Sequence, residues 1–192
     1  MAHKFNPASK QKLDNPERRK HLPPEGTLQR LGLKQGDSMA DIGCGIGYFT
    51  LPAAHIVGRQ GKVYGLDVMA EMLDETRNRV SASALTNVEL MQVKENDWLL
   101  PDEMVDYVFS CLVAHEAEDL TSFFREAARI LRPFGRIAVI EWNKQPGRMG
   151  PPPEHRLDSS ELAALLGQCG FDDMRQLAVN EEMYAILAKK KN

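Results

Sequence analysis

The chain has 192 residues, of which 43% are hydrophobic and 27% charged, and its net charge is −3 with a pI near 6.0. Such values are typical of one globular domain with a full hydrophobic core, and they exclude a broad basic surface for nucleic acid. The three cysteines lack CxxC spacing, which argues against a disulfide scaffold or a structural zinc site. Without a signal peptide or an apolar run of about 18 residues, we expect a soluble, cytoplasmic protein with no stable membrane insertion.

Residues 1–22 are polar and charge-dense, and we interpret them as an N-terminal arm or short helix placed over the single domain formed by residues 23–192. Within that domain, apolar runs alternate with amphipathic segments. The predicted elements are helix 25–33, strand 38–43, helix 47–58, strand 62–68, helix 70–83, strands 87–93 and 104–113, helix 119–132, strand 135–142, helix 159–170, and strands 171–179 and 183–190.

Strands separated by helices of 10–15 residues indicate βαβ units. The pattern therefore predicts an α/β fold: a Rossmann-like, doubly wound and mostly parallel sheet, closed by a C-terminal antiparallel strand pair. Ligands of such sheets bind beyond the carboxyl ends of the strands, where the strand order reverses. Each loop that follows a strand is a candidate part of the binding crevice.

The first of these loops contains the stretch DIGCGIG, with glycines at positions 43, 45 and 47. Glycines at a strand-to-helix junction favour close approach of a dinucleotide, a nucleoside or a phosphate, although a tight turn alone would also explain them. Asp67 ends the next predicted strand, 20 residues after Gly47, at the separation expected of an acid that binds ribose hydroxyls. Together the loop and the acid predict a ribose-bearing ligand.

Two features of the loop argue against a dinucleotide. The sixth position of the dinucleotide fingerprint GxGxxG is Tyr48 here, so the spacing is GxGxG. Asp41, two residues before the first glycine, would repel a pyrophosphate but would attract an α-amino group. The charge of Asp41 therefore favours a nucleoside that carries an amino acid.

These motifs resemble those of class I S-adenosylmethionine-dependent methyltransferases, and within them the ubiquinone/menaquinone C-methyltransferase-like group of small bacterial enzymes. The segment VKENDWLLPDEMVD resembles the loop that holds adenine, although it departs from the family's GDA-like sequence there, and FFREAARILRPFGRIAVIEW resembles the helix and strand that follow. The resemblance implies S-adenosylmethionine as the cofactor. It implies cofactor contacts by Asp41, Gly43, Gly45, Gly47, Asp67, Val68, Met72, Glu95 or Asn96, Cys111 and Leu112.

A methyltransferase needs a general base only if its acceptor arrives protonated. The candidate bases are His115 and Glu116, which follow the fourth predicted strand, and Glu141, which ends the fifth. Each has a structural alternative: His115 would orient its loop or cap the next helix, and Glu141 would support the loop after the strand. Trp142 would line an apolar substrate pocket or belong to the core.

We therefore predict metal-free methyl transfer from S-adenosylmethionine to a small-molecule acceptor. The fourth strand lacks both the (D/N/S)PP(Y/F/W) motif of enzymes that methylate nucleic-acid bases and the terminal carboxylate of metal-dependent catechol-type enzymes. A non-catalytic S-adenosylmethionine-binding module remains an alternative. An NAD(P)-dependent oxidoreductase is a weaker one, because no tyrosine has a lysine four residues later. The arm and the Pro/Gly loop at residues 145–156 are candidate lid segments, and the sequence does not indicate an oligomeric state.

Overall fold

The computed structural model describes residues 13–145 and 150–192. Its helices are α1 (Pro16–His21), α2 (Pro24–Arg30), α3 (Thr50–Val57), α4 (Ala70–Ala82), α5 (Leu120–Ile130) and α6 (Ser159–Gln168). Its strands are β1 (Ser38–Ile42), β2 (Lys62–Asp67), β3 (Val88–Gln92), β4 (Val105–Cys111), β5 (Leu131–Trp142), β6 (Phe171–Ala178) and β7 (Met183–Lys190).

All seven strands form one sheet in the order β3-β2-β1-β4-β5-β7-β6. Strands β1 to β5 pair in parallel, whereas β7 runs antiparallel to both β5 and β6. The predicted doubly wound sheet with its antiparallel C-terminal pair is therefore confirmed. The chain moves outward from β1 to β3 and then returns to β4 beside β1, so the strand order reverses between β1 and β4. That reversal opens a crevice at the carboxyl ends of these two strands.

The sheet divides the core into two layers because successive side chains of a strand point to opposite faces. On one face, Val108 and Ile137 pack with α5 and α6; on the other, Phe109 and Ala138 pack with α2 and α3. With both faces covered, the central strands consist mainly of apolar residues. The polar side chains at their carboxyl ends therefore stand out as candidates for function.

Helix ends follow the sequence signals at two places and depart from them at a third. Asp158 caps α6 by accepting hydrogen bonds from the backbone N–H groups of Ser160 and Glu161 at 2.9 and 3.3 Å, as its spacing predicts. Gly58 ends α3, as predicted. Helix α5, however, stops at Ile130 rather than at residue 132, and β5 begins at residue 131. The proline at 133 disfavours helical backbone at the residue before it.

Within the described ranges, no helix is both long enough and apolar enough to cross a bilayer.

Candidate functional site

A cavity of about 990 Å³ opens at the reversal point between β1 and β4. Its volume lies at the upper end of the range of roughly 300–1,000 Å³ for small-molecule sites. Of the residues that the sequence predicts for the site, its wall includes Asp41, Gly43, Gly45, Asp67, Val68, Met72, Glu95, Cys111, Leu112, His115 and Glu116. Gly47, Asn96 and Glu141 lie outside the wall.

The glycine loop combines two kinds of constraint. Gly43, Gly45 and Gly47 all have positive φ, at 66°, 57° and 80°. A Cβ atom at Gly43 would overlap Val113, and one at Gly47 would lie 2.7 Å from Leu51, so these two positions are closed by packing. At Gly45 the nearest atom to such a Cβ is 3.5 Å away, which leaves the backbone of Gly45 open to the cavity. Gly47 therefore allows the loop to pack against Leu51 and does not form part of the cavity wall.

Asp67 fixes the open part of that loop. One of its carboxylate oxygens accepts the backbone N–H of Gly45 at 2.8 Å, and the other accepts that of Met69 at 2.9 Å. The hydroxyl of Thr76 on α4 donates to the carbonyl of Gly45 at 2.6 Å. Burial raises the pKa of Asp67, although the backbone donors oppose the shift. The acid expected to bind ribose thus also holds the glycine loop.

Asp41 is the more deeply buried acid of the pair. It accepts a hydrogen bond of 2.6 Å from the hydroxyl of Thr50, the first residue of α3. Burial raises the pKa of Asp41 to about 7, Thr50 lowers it, and the charge of Asp67 adds to the rise. No cationic side chain in the described part of the chain forms an ion pair with Asp41 or Asp67. The cavity therefore offers two uncompensated carboxylates to a ligand with ammonium or hydroxyl groups.

The wall beyond Asp67 suits a flat ring. Met72 is buried, while Val68 is 46% exposed although its chain neighbours are covered. The carboxylate of Glu95 accepts the backbone N–H of Glu118, and the carbonyl of Glu95 accepts the indole N–H of Trp98 at 3.0 Å. Asn96, the alternative to Glu95 for an adenine contact, is exposed and does not belong to the cavity wall.

The end of β4 forms the centre of the cavity floor. Burial raises the pKa of Cys111 to about 12, so this thiol stays protonated and is not a nucleophile at neutral pH. Leu112 adopts a positive φ of 60° and donates its N–H to the carbonyl of Ile140 at 2.9 Å, which turns the chain out of the sheet. The turn delivers His115 to the wall, where its Nδ1 atom lies 2.8 Å from a carboxylate oxygen of Glu141.

Residues 13–22 of the arm cover one side of the cavity. Asp14 anchors them to α4 through an ion pair of 2.9 Å with Arg79, and it also binds Arg19 at 2.6 Å. The guanidinium of Arg18 lies 4.6 Å from the ring centroid of Tyr48, whose hydroxyl donates to the carbonyl of Leu22. Six residues of this segment belong to the wall: Leu13, Asn15, Glu17, Arg18, His21 and Leu22. Residues 1–12 of the predicted arm lie outside the described residues.

Residues 150–152 of the Pro/Gly loop also belong to the cavity wall, whereas its residues 146–149 lie outside the described ranges. Arg156 is buried and donates to the carbonyls of Asn143, Gln145 and Pro151 at 2.8–2.9 Å. A Cβ atom at Gly150 would lie 2.7 Å from the ring of Trp142, which itself lines the cavity. Sequence patterns gave no reason to select Arg156, because a lone arginine in a loop is usually solvated.

The pKa of Asp41 leads to a stability prediction. A carboxyl whose pKa is raised on folding stabilises the fold below its ordinary pKa of 3.8, and this contribution is lost as the pH rises through about 7. Asp41→Asn keeps an oxygen for Thr50 and stays neutral. In the ligand-free protein we expect the variant to exceed the wild type in unfolding free energy at pH 8, by an amount on the order of 4 kcal/mol at about 1.4 kcal/mol per pKa unit.

Urea denaturation at pH 5 and pH 8 measures this difference, which should grow with pH. Asp172→Asn on β6 is the matched control, because Asp172 is exposed. A difference between Asp41→Asn and the wild type that is the same at both pH values would contradict the account.

Comparisons with known proteins agree with this geometry. Residues 39–135 match the family model described as a methyltransferase domain. A crystallised SAM-dependent methyltransferase from Aquifex aeolicus is 34% identical, with a TM-score of 0.93 over 97% of this chain and 100% of that one. Demethylmenaquinone methyltransferases from Geobacillus sp. (strain WCH70) and Shouchella clausii are 31% and 34% identical over 69% and 60% of this chain.

The chain spans about half the length of these curated relatives, 56% and 49% respectively. The family match nevertheless confirms the class predicted from the glycine loop and its acid, and with it the cofactor that the class uses, S-adenosylmethionine. It also decides against the oxidoreductase alternative. The chain belongs to the S-adenosylmethionine-dependent methyltransferases of class I, in the group that resembles the menaquinone and ubiquinone methyltransferases.

Proposed function

We propose that this chain transfers a methyl group from S-adenosylmethionine to a small, apolar, ring-bearing acceptor. The observation that carries the proposal is the pair of buried, uncompensated carboxylates beside an open glycine backbone, Asp41 and Asp67 beside Gly45. An ammonium group and a ribose diol are ligands that such carboxylates bind well. The chemistry of these donors therefore fits the cofactor of the family.

Different residues of the cavity wall would bind different parts of the cofactor. Asp41 would hold the amino group of the methionine moiety, Asp67 the ribose hydroxyls, and the backbone of Gly45 would lie beneath them. Val68 and Met72 would pack against the adenine, with Glu95 at its polar edge. When bound, the cofactor supplies an electrophilic methyl group on a sulfonium, so the protein itself has to orient the acceptor and exclude water.

The acceptor would occupy the rest of the cavity, which is mainly apolar. Phe49, Trp142 and Met183 of the cavity wall would form this part, together with wall residues of the arm and of the Pro/Gly loop. Aromatic rings and a thioether favour a flat apolar ligand. The curated relatives are named for demethylmenaquinone, whose ring is of this kind, and we extend that acceptor class to the present chain.

Turnover with a quinol ring tests the proposal. Purified protein is incubated anaerobically with methyl-labelled S-adenosylmethionine and 1,4-dihydroxynaphthalene, and the products are separated by mass. We expect a singly methylated naphthalenediol that depends on the protein. If the protein binds the cofactor but forms no methylated product, the non-catalytic binding module is the better account.

Asp67 should govern affinity for the cofactor. A hydrogen bond to a charged group contributes about 1.5–3 kcal/mol, so Asp67→Asn should weaken binding by about 10- to 100-fold. The intrinsic fluorescence of Trp98 and Trp142 reports binding, because both indoles line the cavity. Asp74→Asn is the control, since Asp74 pairs with Arg77 on the outer surface of α4. An unchanged dissociation constant for Asp67→Asn would remove Asp67 from the cofactor site.

The anchored arm should slow release of the cofactor if residues 13–22 act as a lid. Asp14→Asn removes the ion pairs with Arg19 and Arg79, and such pairs contribute up to about 1 kcal/mol each. We therefore expect release several-fold faster than in the wild type, measured by displacing bound S-adenosylmethionine in a stopped-flow instrument. Asp74→Asn again serves as control. Equal release rates for Asp14→Asn and the wild type would assign the arm a purely structural role.

A further inference from the structure

His115 and Glu141 form a buried pair that is joined by two contacts through one carboxylate. One oxygen of Glu141 accepts the backbone N–H of His115 at 3.2 Å, and the other lies 2.8 Å from Nδ1 of the same residue. The side chain of Glu141 is fully buried and that of His115 is 5% exposed. A single carboxylate therefore fixes both the turn and the orientation of the imidazole ring.

This contact selects the tautomer of the neutral ring. An Nδ1–H that donates to Glu141 leaves the lone pair on Nε2. In the part of the chain that the structure describes, no group hydrogen-bonds Nε2, and His115 belongs to the cavity wall. Glu141 lies behind the ring, outside that wall. The arrangement presents a basic nitrogen to the ligand and keeps its supporting acid away from solvent.

The groups around His115 make its imidazole ring more basic. Burial lowers the pKa of His115, but the hydrogen bond and charge of Glu141 and the charge of Glu116 outweigh burial and the opposing charge of Arg156, so that the pKa is raised. Tyr184, across from Glu141 on β7, donates its hydroxyl to the carbonyl of Leu157. Burial and the charge of Glu141 raise the pKa of Tyr184, so it remains protonated.

We propose that His115 accepts a proton from the methyl acceptor through Nε2, and that Glu141 is the positioning residue that holds the neutral ring with its Nε2 lone pair free for this task. The inference rests on the proposed methyl transfer and specifies its acceptor. The acceptor is a phenol or hydroquinol, whose hydroxyl must lose a proton, and not a tertiary amine or a thioether, which has none to lose at the reacting atom.

The step balances as a substitution. The phenolic proton passes to Nε2, and the electron pair left on the acceptor makes its oxygen and the neighbouring ring carbon nucleophilic. The acceptor forms its bond to the methyl carbon with that pair, while the departing sulfur keeps the electrons of its broken bond and becomes a neutral thioether. Where the ring carbon is methylated, its hydrogen then leaves as a proton and the oxygen regains one, which restores the aromatic ring. The one net proton passes from His115 to solvent. No oxidant, reductant or metal enters the balance.

The pH dependence of turnover with 1,4-dihydroxynaphthalene tests the pair. We expect kcat to rise with pH as His115 loses its proton, with a midpoint above the ordinary imidazole pKa. Glu141→Gln should move this midpoint to lower pH by about one unit, because it removes an adjacent charge. His115→Ala should lower kcat about 100-fold or more and leave KM for the acceptor nearly unchanged. Added imidazole should restore part of the activity.

His55→Gln is the matched control, because His55 is an exposed histidine on α3 away from the cavity. This variant should keep the wild-type profile. A midpoint that does not move in Glu141→Gln, or a His115→Ala variant with wild-type kcat, would overturn the inference while leaving methyl transfer intact. If His115→Ala does not fold, His115→Gln provides the same measurement with a side chain of similar size.

A titration without cofactor or acceptor separates this inference from the proposed function. Imidazole resonances of His115, followed by NMR in the ligand-free protein, should give a pKa above 6.5 in the wild type and a lower value in Glu141→Gln. Equal values in the two proteins would overturn the pair even in an active enzyme. Loss of S-adenosylmethionine binding, by contrast, would refute the proposed function whatever the titration shows.

Discussion

Two carboxylates, those of Asp41 and Asp67, are buried at the carboxyl ends of neighbouring strands, and among the described residues no cationic side chain forms an ion pair with either. Asp41 is the penultimate residue of β1 and Asp67 is the last residue of β2, so neighbouring parallel strands bring the two acids to the same end of the sheet. Burying a charge without a partner is costly, and the rise in the pKa of Asp41 to about 7 expresses that cost. A fold that keeps such groups is organised for a ligand rather than for its own stability.

Hydrogen bonds from neighbouring residues hold the glycine loop and the two carboxylates in place. Asp67 accepts hydrogen bonds from the backbone of Gly45 and Met69, which fixes the glycine loop, and it also belongs to the cavity wall. Thr50 holds Asp41 from the first turn of α3, and Thr76 holds Gly45 from α4. Ligand-binding atoms are therefore placed by rigid elements, and little has to move when a ligand enters.

Two surface segments, the arm and the Pro/Gly loop, form further parts of the cavity wall. Asp14 ties residues 13–22 of the arm to α4, and Arg156 binds three backbone carbonyls around the Pro/Gly loop, so both segments contribute anchored chain to the cavity wall. An open crevice would leave a reactive methyl donor exposed to water. We propose that these anchored segments help to exclude water from the methyl donor.

Much of this was predictable from the sequence because it is local. Alternating strands and helices predict the sheet, and the spacing between Gly47 and Asp67 predicts a ribose-bearing ligand, while the cofactor itself followed from the resemblance of the motifs to those of methyltransferases. The glycine loop could be recognised without knowing that Gly47 packs behind it against α4, since three glycines in one turn look alike in a sequence. Glu95 and Asn96 are adjacent polar residues of one loop, so the sequence alone does not show which of them reaches the cavity wall.

Contacts between distant residues were not predictable in this way. His115 and Glu141 were each selected as isolated candidate bases, and their pairing depends on the register that sets Cys111 beside Ile140 in neighbouring strands. The end of α5 was misplaced by two residues, because helical periodicity continues through Leu131 while the backbone restriction before proline prevails. Arg156 was missed altogether, since its three carbonyl partners come together only in the folded loop.

The number of protons released when the cofactor binds tests whether buried Asp41 holds the amino group of S-adenosylmethionine. At pH 6 Asp41 should be mostly protonated in the free protein, whereas an α-amino group, with an ordinary pKa of about 8, already carries its charge. Calorimetric titration with S-adenosylmethionine in two buffers of different ionisation enthalpy measures the protons exchanged. The account predicts release of up to about one proton, lost in Asp41→Asn. Binding with no proton release, or no heat of binding at all, would contradict it.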